Sequence, residues 1–309
     1  MTSTKPELGW QISEKSIKDF TSIPGRILSP LYSQESNKGL FHLFYNDEHP
    51  NGQISFTKGH TKGCLAFNQK YGFWLIHSVP KFPPKLEENT DYDYPHTGQM
   101  YGQSFLCISL HTNSSANQIG LQLMYNRPYI YSQNLPKWVE KNFPVLANAA
   151  KGETIKKSTW NILSFKSLLG RDFISFAKNE HFGEDLYSKL VAPKLKMNMM
   201  AETWPNGPGK MNSSCSTFYH VLNIDSIDFR QNKLQWATHK DHAKWAVTYG
   251  KTKNKSKLSD EFKYVCIGDI NRMESQKKRG GGTVCFHDKL AWKAFSGIVN
   301  DFEACPKPN

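Results

Sequence analysis

Two stretches of the sequence share one pattern: Gly59-His-Thr-Lys-Gly-Cys-Leu-Ala-Phe67 and Asp241-His-Ala-Lys-Trp-Ala-Val-Thr-Tyr249. In both stretches a His-x-Lys triplet leads into an apolar run, and a turn or loop and a second apolar run follow. The first copy ends at His77-Ser78 and the second at Gly268-Asp-Ile-Asn271. The recurrence predicts two structurally related halves, residues 25–150 and 151–309, that meet at a pseudo-twofold interface.

The two triplets carry the groups that metal-independent phosphodiester cleavage needs. Histidine and lysine two residues apart in an extended chain lie on the same face. A neutral imidazole can attack phosphorus, a protonated one can protonate the leaving oxygen, and ammonium groups can stabilise the negative charge. The candidate catalytic residues are therefore His60, Lys62, His242 and Lys244, and the alternative is a pair of ordinary surface histidines. A third triplet, His287-Asp-Lys289, is interpreted as incidental because it begins the C-terminal helix.

The chain is basic and long enough to form a core. It has 309 residues, of which 38% are hydrophobic and 13% aromatic, and no run of 18 apolar residues that could cross a membrane. Its net charge of +12 attracts polyanions, so nucleic acid, anionic lipid and a heparin-like glycan are candidate partners, and solubility alone is the other explanation. At acidic pH the 11 histidines would strengthen the attraction for phosphate.

Cysteines and glycosylation sequons favour the secretory route. The chain has six cysteines and no Cys-x-x-Cys pair, so a zinc site is not expected. Three Asn-x-Ser sequons begin at Asn113, Asn212 and Asn254. The first eight residues are polar and lack the apolar segment of a signal peptide. A removed signal and a fragment are the preferred explanations, and a cytosolic protein is the third.

Apolar runs and turn residues locate further elements. The predicted strands are residues 40–45, 63–67, 73–79, 103–110, 244–249 and 262–267. The predicted helices are residues 136–142, 185–192 and 291–299, the second of which ends at Pro193. Residues 164–177 are placed with the helices, although their period is ambiguous, and the polar stretch up to Lys38 has no assignment.

Several other residues have two interpretations each. His77 ends an apolar strand and is either a core histidine bonded to backbone or part of the site. Arg279-Gly-Gly-Gly282 is either an anion-binding loop or a tight turn, and Asp241 is a candidate for orienting His242. Neither a P-loop, a His-Glu-x-x-His pair nor an EF-hand loop occurs, so no metal or cofactor is expected.

Seven blocks of the sequence, in order over residues 25–305, resemble the deoxyribonuclease II family. The blocks are Gly59–Gly63, Gly72–Pro84, Tyr101–Cys107, Asp241–Trp245, Cys266–Arg272, Arg279–Cys285 and Leu290–Phe295. The resemblance implies an α/β (α+β) fold like that of the phospholipase D superfamily. It would have two pseudo-twofold-related halves, each with a central mixed sheet flanked by helices.

The resemblance also implies an acidic endonuclease that hydrolyses DNA without a divalent metal and leaves 3′-phosphate ends. Each half would contribute one His-x-Lys motif, with His242 matching the histidine usually assigned as catalytic. Which histidine attacks is open. Residues that would surround these motifs or bind substrate are His77, Ser78, Asp269, Asn271 and Arg272. A secreted or lysosomal location follows by similarity.

The cysteines and the first 24 residues complete the comparison with the family. The resemblance implies the disulfides Cys266–Cys285 and Cys215–Cys305, and it leaves Cys107 either free or paired with Cys64. Residues 1–24 form a divergent or truncated segment. Two alternatives therefore accompany the nuclease: a catalytically weak secreted paralogue that binds DNA or a host protein, and a phosphodiesterase for RNA or phospholipid.

Overall fold

Helices and two β-sheets make up the computed structural model, which describes residues 6–33, 39–88, 91–250 and 259–306. The strands are β1 (Phe41–Asn46), β2 (Lys62–Phe67), β3 (Tyr71–His77), β4 (Phe105–His111), β5 (Ile130–Asn134), β6 (Trp160–Lys166), β7 (Asp172–Lys178), β8 (Asn198–Glu202), β9 (Val221–Phe229), β10 (Leu234–Ala237), β11 (Trp245–Tyr249), β12 (Tyr264–Gly268), β13 (Gly281–His287) and β14 (Val299–Phe302). The α-helices are α1 (Ile23–Tyr32), α2 (His96–Gln99), α3 (Thr112–Asn126), α4 (Lys137–Asn142), α5 (Pro144–Ala150), α6 (Ala192–Leu195), α7 (Glu274–Lys277) and α8 (Lys289–Gly297). The expected α+β class is confirmed.

The first sheet contains the five strands that precede residue 151, in the order β4-β3-β2-β1-β5. All four pairings are antiparallel, so the prediction of a mixed sheet is wrong for this half. The β2–β3 hairpin is tight because the Asn68 side chain accepts hydrogen bonds from the backbone N–H groups of Lys70 and Tyr71, each at 2.8 Å. This turn fixes the register that places Ile76 opposite Gly63, beside the His-x-Lys triplet.

The second sheet contains the nine strands that follow residue 151. Its path is β10-β9-β8-β11-β12-β13-β7-β6, and β14 also pairs with β9. Only β8 and β9 are parallel, which makes this sheet mixed as expected. The β11–β12 hairpin repeats the β2–β3 hairpin of the first sheet, and both follow directly on a His-x-Lys triplet.

Helix α3 joins the two sheets into one body. It contacts α5 from the first half and β6 and β7 from the second. The core around its buried residues Ile119 and Leu123 includes Phe165 and Phe173 of the second sheet. Gly120 allows the close approach of α5, because a Cβ there would lie 2.6 Å from the Leu146 Cα atom. The two halves therefore share apolar burial, which fixes the interface between them.

Several predicted elements are confirmed, one is wrong, and one helix ends later than predicted. Strands β1, β2, β3, β4, β11 and β12 and helices α4 and α8 lie where the apolar runs predicted them. Residues 164–177 are instead parts of the β6–β7 hairpin, whose turn contains Gly170 at a φ of +80°. The predicted helix at 185–192 contains a π-helical segment, Tyr187–Val191, and continues through Pro193 as α6.

Helix α1 lies in the stretch that had no assignment. Ser22 caps it by accepting a hydrogen bond from the Gly25 N–H at 3.1 Å, and Pro24 occupies its first turn. Leu28 and Leu31 are buried against the first sheet. The helix therefore forms through its cap and its buried apolar face.

Two disulfides join the cysteines that the resemblance implies. Cys266 pairs with Cys285 across β12 and β13, and Cys215 pairs with Cys305 near the C-terminus. Cys64 and Cys107 are both free thiols. They flank Leu75 on neighbouring strands, so two strand spacings of about 4.8 Å separate them. That separation is too large for a disulfide.

Two of the predicted glycosylation sites are accessible. Asn113 in the first turn of α3 and Asn212 before Cys215 are both exposed, whereas Asn254 lies outside the described residues. In the described part of the chain, no helix combines the length and apolar character needed to span a bilayer.

Candidate active site

Each half of the protein orients the histidine of the other half. The Nδ1–H of His60 donates to the backbone carbonyl of Asp269 at 2.5 Å, and that of His242 donates to the carbonyl of Ser78 at 2.8 Å. We assign the ring protons to Nδ1 because a carbonyl can only accept. Ser78 follows β3 and Asp269 follows β12, so the acceptors are equivalent positions of the two hairpins. In this tautomer the Nε2 atom of each ring carries a lone pair that can attack phosphorus or take up a proton.

The surrounding backbone repeats the same pseudo-twofold relation. Each histidine N–H donates to a glycine carbonyl, and each acceptor residue is itself held by the strand that follows that glycine. The matching bonds are His60 N–H to Gly280 O and His242 N–H to Gly102 O, both 2.8 Å, and Ser78 N–H to Ser104 O at 3.1 Å and Asp269 N–H to Gly282 O at 3.3 Å. The hairpin that recurs in the sequence is therefore held by equivalent backbone hydrogen bonds in both halves.

The two glycines are required by close packing. A Cβ on Gly280 would lie 2.2 Å from the Asn126 carbonyl oxygen, and one on Gly102 would lie 2.5 Å from a carboxylate oxygen of Asp241. Neither gap accommodates a side chain. Between the two interpretations of Arg279-Gly-Gly-Gly282, the structure supports a packed turn into β13, with its glycines against backbone.

Both lysines of the triplets are buried and point inward. Lys62 Nζ donates to the carboxylate of Asp47, and Lys244 Nζ donates to the His242 carbonyl at 2.5 Å. Burial, followed by the charge of Lys62, lowers the pKa of Lys244 to about 7. Lys244 therefore carries its full charge only in mildly acidic solution.

The four residues of the triplets lie within electrostatic range of one another. Burial lowers the pKa of His60 well below its usual value, and Lys62 and Lys244 lower it further. Burial, Lys244, Lys62 and the His60 ring lower the pKa of His242 in the same way. Since each imidazole is affected by the lysine of the opposite half, the structure brings the two triplets together at the interface.

Residues next to the triplets support them in different ways. His77 is fully buried; its Nδ1 accepts from the Val79 N–H at 3.2 Å, and its pKa falls to about 3 because of burial and then Lys62. It packs against Phe82 and Phe105, which fits the core interpretation. The Ser78 hydroxyl donates to the Gln103 side-chain oxygen at 2.6 Å.

Asp269 and Asn271 follow β12 at the same interface. The Asp269 carboxylate accepts from the Gly282 N–H at 3.0 Å and from the Thr61 hydroxyl, and burial raises its pKa to about 6. The side-chain oxygen of Asn271 is buried and has no hydrogen-bond partner in the described part of the protein. As an acceptor, this oxygen could bind a donor such as a water molecule or a protonated group, but not the phosphate oxygens of a phosphodiester.

Arg272, expected to surround the motifs or bind substrate, has its side chain buried in the second half. Its side chain is 1% exposed, and all five N–H donors are used within the chain. The acceptors are the Asp185 carboxylate, the side-chain oxygens of Asn223 and Ser214, and the carbonyls of Val221 and Asn212. The third triplet is also separate, because the His287 Nε2–H donates to the Asp260 carbonyl at 2.5 Å on the surface.

Two acidic residues at the site, Asp47 and Glu202, were not predicted from the sequence. Asp47 accepts from Lys62 and from Arg279 Nη2 at 3.2 Å, and its second oxygen lies 3.8 Å from His60 Nε2. The carboxylate of Glu202 is fully buried with no hydrogen-bond partner among the described residues, and burial raises the pKa of Glu202. The signal was available for Asp47, which lies two residues after the strand predicted at 40–45.

No group of three or more histidine, cysteine, aspartate or glutamate side chains is arranged to hold a metal ion within residues 6–33, 39–88, 91–250 and 259–306. The cationic side chains at the site are those of Lys62, Lys244 and Arg279. They can neutralise an anion but cannot present a fixed coordination geometry.

Comparison with known proteins agrees with the geometry. The sequence profile of the deoxyribonuclease II family matches residues 1–305. Deoxyribonuclease-2-alpha of Mus musculus is 37% identical over 302 aligned positions, with 96% of this chain and 82% of the relative covered. Plancitoxin-1 of Acanthaster planci is 38% identical, with 96% and 80% covered, and deoxyribonuclease-2-beta of Homo sapiens is 35% identical, with 96% and 80% covered. The chain belongs to the deoxyribonuclease II family.

Proposed function

We propose that this deoxyribonuclease is an acidic endonuclease that hydrolyses DNA through a phosphohistidine intermediate, without a divalent metal, and leaves 3′-phosphate ends. The observation that carries the proposal is the reciprocal hydrogen bonding of His60 and His242. It holds both imidazoles in the tautomer whose Nε2 is free, with a buried lysine beside each. His60, Lys62, His242 and Lys244 are the proposed catalytic residues.

The chemistry uses one imidazole as nucleophile and the other as acid. The nucleophilic Nε2 forms a bond to phosphorus while the P–O5′ bond breaks, and the second imidazole gives its proton to O5′. Water then attacks phosphorus, the second imidazole takes its proton, and the P–N bond breaks to release a 3′-phosphate. Lys62 and Lys244 stabilise the charge on the non-bridging oxygens.

Acidic pH is the condition under which these groups carry the required charges. Because burial lowers the pKa of both histidines, the acid form of either needs low pH or the negative charge of a bound phosphate. Lys244, with a pKa of about 7, gains its proton in the same range. Activity should therefore fall as pH rises, which suits a lysosomal or secreted nuclease, with Asn113 and Asn212 as proposed glycosylation sites.

Plasmid cleavage at about pH 5 in excess chelator tests the proposal. The purified parent should cut, and His60→Ala and His242→Ala should lose cleavage by roughly 10²-fold or more, as expected for loss of an acid–base group. His287→Ala is the matched control, because it removes the histidine of the surface triplet, and it should cut like the parent. Cleavage that survives His242→Ala would refute the site.

The ends of the products test the direction of bond breakage. Fragments should accept a 5′ label from a polynucleotide kinase at once, but should be extended by terminal transferase only after a phosphatase has removed the 3′-phosphate. Cleavage that requires Mg²⁺ would contradict the metal-independent chemistry. DNA binding by the parent without cleavage would support the alternative, a catalytically weak paralogue.

A further inference from the structure

The two half-sites differ in the residue that stands beside the imidazole. Asn46 pairs with Lys62 across β1 and β2, so Asp47 comes one residue after the partner of the lysine. In the second half Glu202 pairs with Trp245, so the same register places Trp204 at the equivalent position. His60 therefore has a carboxylate 3.8 Å from its Nε2 atom, whereas His242 has an indole ring 5.0 Å away between centroids.

Asp47 is held in its ionised form. Its side chain is 5% exposed, and burial by itself would favour the neutral acid. Lys62, His60 and Arg279 outweigh burial and hold the pKa of Asp47 well below its usual range. A fixed negative charge thus stands beside His60 throughout the acidic range.

The charged groups around the two histidine rings differ, and so does their effect on the protonated form of each ring. Lys62, Arg279 and Lys244 disfavour a positive charge on His60, and Asp47 favours it. Around His242, the charges of Lys244, Lys62 and His60 disfavour a positive charge, and the hydrogen bond to the Ser78 carbonyl favours it. Among the described residues, a carboxylate lies within 4 Å of the His60 ring, whereas none lies within that distance of the His242 ring; the nearby carboxylates of Asp241 and Glu202 act on Lys244.

We propose that Asp47 is a positioning residue that favours the protonated ring of His60, and that it thereby makes His60 the proton donor and leaves His242 as the nucleophile. This inference rests on the proposed function and divides its two roles. His242 Nε2 attacks phosphorus as the P–O5′ bond breaks, and the Nε2 proton of His60 passes to O5′. In the second step water attacks phosphorus, His60 takes the proton of that water, and the bond between phosphorus and His242 breaks.

A substrate with a good leaving group separates the two roles. In a nucleoside 3′-(4-nitrophenyl phosphate), nitrophenolate replaces the 5′-hydroxyl and leaves without a proton. His60→Ala should then release about one equivalent of nitrophenolate and retain the nucleoside 3′-phosphoryl group on His242, detected by mass spectrometry after an alkaline quench. His242→Ala should release none. The opposite pattern, or equal loss in both variants, would overturn the inference.

The outcomes separate this inference from the proposed function. A parent that cleaves neither plasmid nor ester under chelation overturns both. If the parent cleaves both plasmid and ester, and His242→Ala still releases nitrophenolate, then only the division of roles is overturned. The parent ester rate, measured with the same preparation, decides between these results.

The pH profile tests Asp47 itself. An opposite charge within about 4–6 Å shifts a pKa by roughly one to three units, so Asp47→Asn should move the loss of activity at rising pH to a lower pH by about that amount. Activity should recover toward the parent value in sufficiently acidic buffer. Asp172→Asn is the matched control, because Asp172 pairs with Lys166 on the surface and its side chain is 79% exposed.

A purely structural role would give a different result. Asp47→Asn would then lower activity by the same factor at every pH, and that result would overturn the role of Asp47. Asp47→Glu restores a carboxylate and should return the profile toward that of the parent. Circular dichroism and thermal unfolding of each variant verify the fold, and the ester experiment does not depend on any Asp47 variant.

Discussion

Replacement of Arg272 by methionine should destabilise the protein without disturbing the groups that face the substrate. The guanidinium lies 3.5 Å from the Asp185 carboxylate and donates to four further acceptors in the second half. Methionine fills much of the volume but donates no hydrogen bonds. The Asp185 carboxylate, 4% exposed, would keep only its bond from the Ser188 N–H.

The size of the effect follows from burial. Removal of one partner from a buried ion pair costs about 3–5 kcal/mol, because the remaining charge is left uncompensated. The unfolding entropy of a 309-residue chain is about 0.6 kcal/mol/K, so Tm should fall by roughly 5–8 °C. Arg171→Met is the matched control: Arg171 is 40% exposed and pairs with Asp288, and its loss should cost less than about 1 kcal/mol.

Urea denaturation and calorimetry give the stability, and cleavage of plasmid by the folded variant gives the function. We expect Arg272→Met to lose stability but to retain most of its activity and DNA affinity at a temperature where it is folded. An unchanged Tm together with a large loss of DNA affinity would show that Arg272 contacts the substrate. The structural assignment would then be wrong.

Three further predictions concern the frame of the site. Cys266→Ala opens a disulfide that spans 19 residues and should cost about 3 kcal/mol, measured by urea denaturation beside the reduced parent. Burial raises the pKa of Asp269 from 3.8 to about 6, so the folded state holds a proton that the unfolded state has lost between these values. Relative to Asp269→Asn, the parent should therefore lose on the order of 2–3 kcal/mol of stability as pH rises from 4 to 6; a parallel pH dependence would contradict this. Gly102→Ala places a Cβ 2.5 Å from an Asp241 oxygen and should cost about 1–3 kcal/mol and most of the activity, whereas Gly297→Ala, with open space around its Cβ, should leave both unchanged.

The sequence predicts those parts of the fold that depend on local pattern. The two hairpins follow from apolar runs bounded by turn residues, and helix α8 begins at Asp288, whose side chain accepts from the Ala291 N–H. The β6–β7 hairpin was predicted as a helix because residues 164–177 have mixed periodicity, and only pairing with β13 decides between the two forms. Long-range pairing is not visible in a local window.

The site was predictable where chemistry and spacing coincide. The His-x-Lys triplets can be recognised from residue type and spacing alone. The role of Asp47 depends on the pairing of β1 with β2, which brings its carboxylate to Lys62. Arg272 shows the opposite case, since it adjoins Asn271 in sequence yet turns into the second half. Proximity along the chain does not specify which way a side chain points.

Reciprocal orientation of the histidines by main-chain carbonyls has a consequence for how the protein tolerates change. Since the accepting atoms of Ser78 and Asp269 are backbone carbonyl oxygens, substitution of either side chain need not reorient the histidine rings. A shift of the backbone of one hairpin, by contrast, would move the carbonyl that orients the imidazole of the opposite half. A change in the backbone of either half would therefore misorient the imidazole of the other half. Neither half orients its own imidazole.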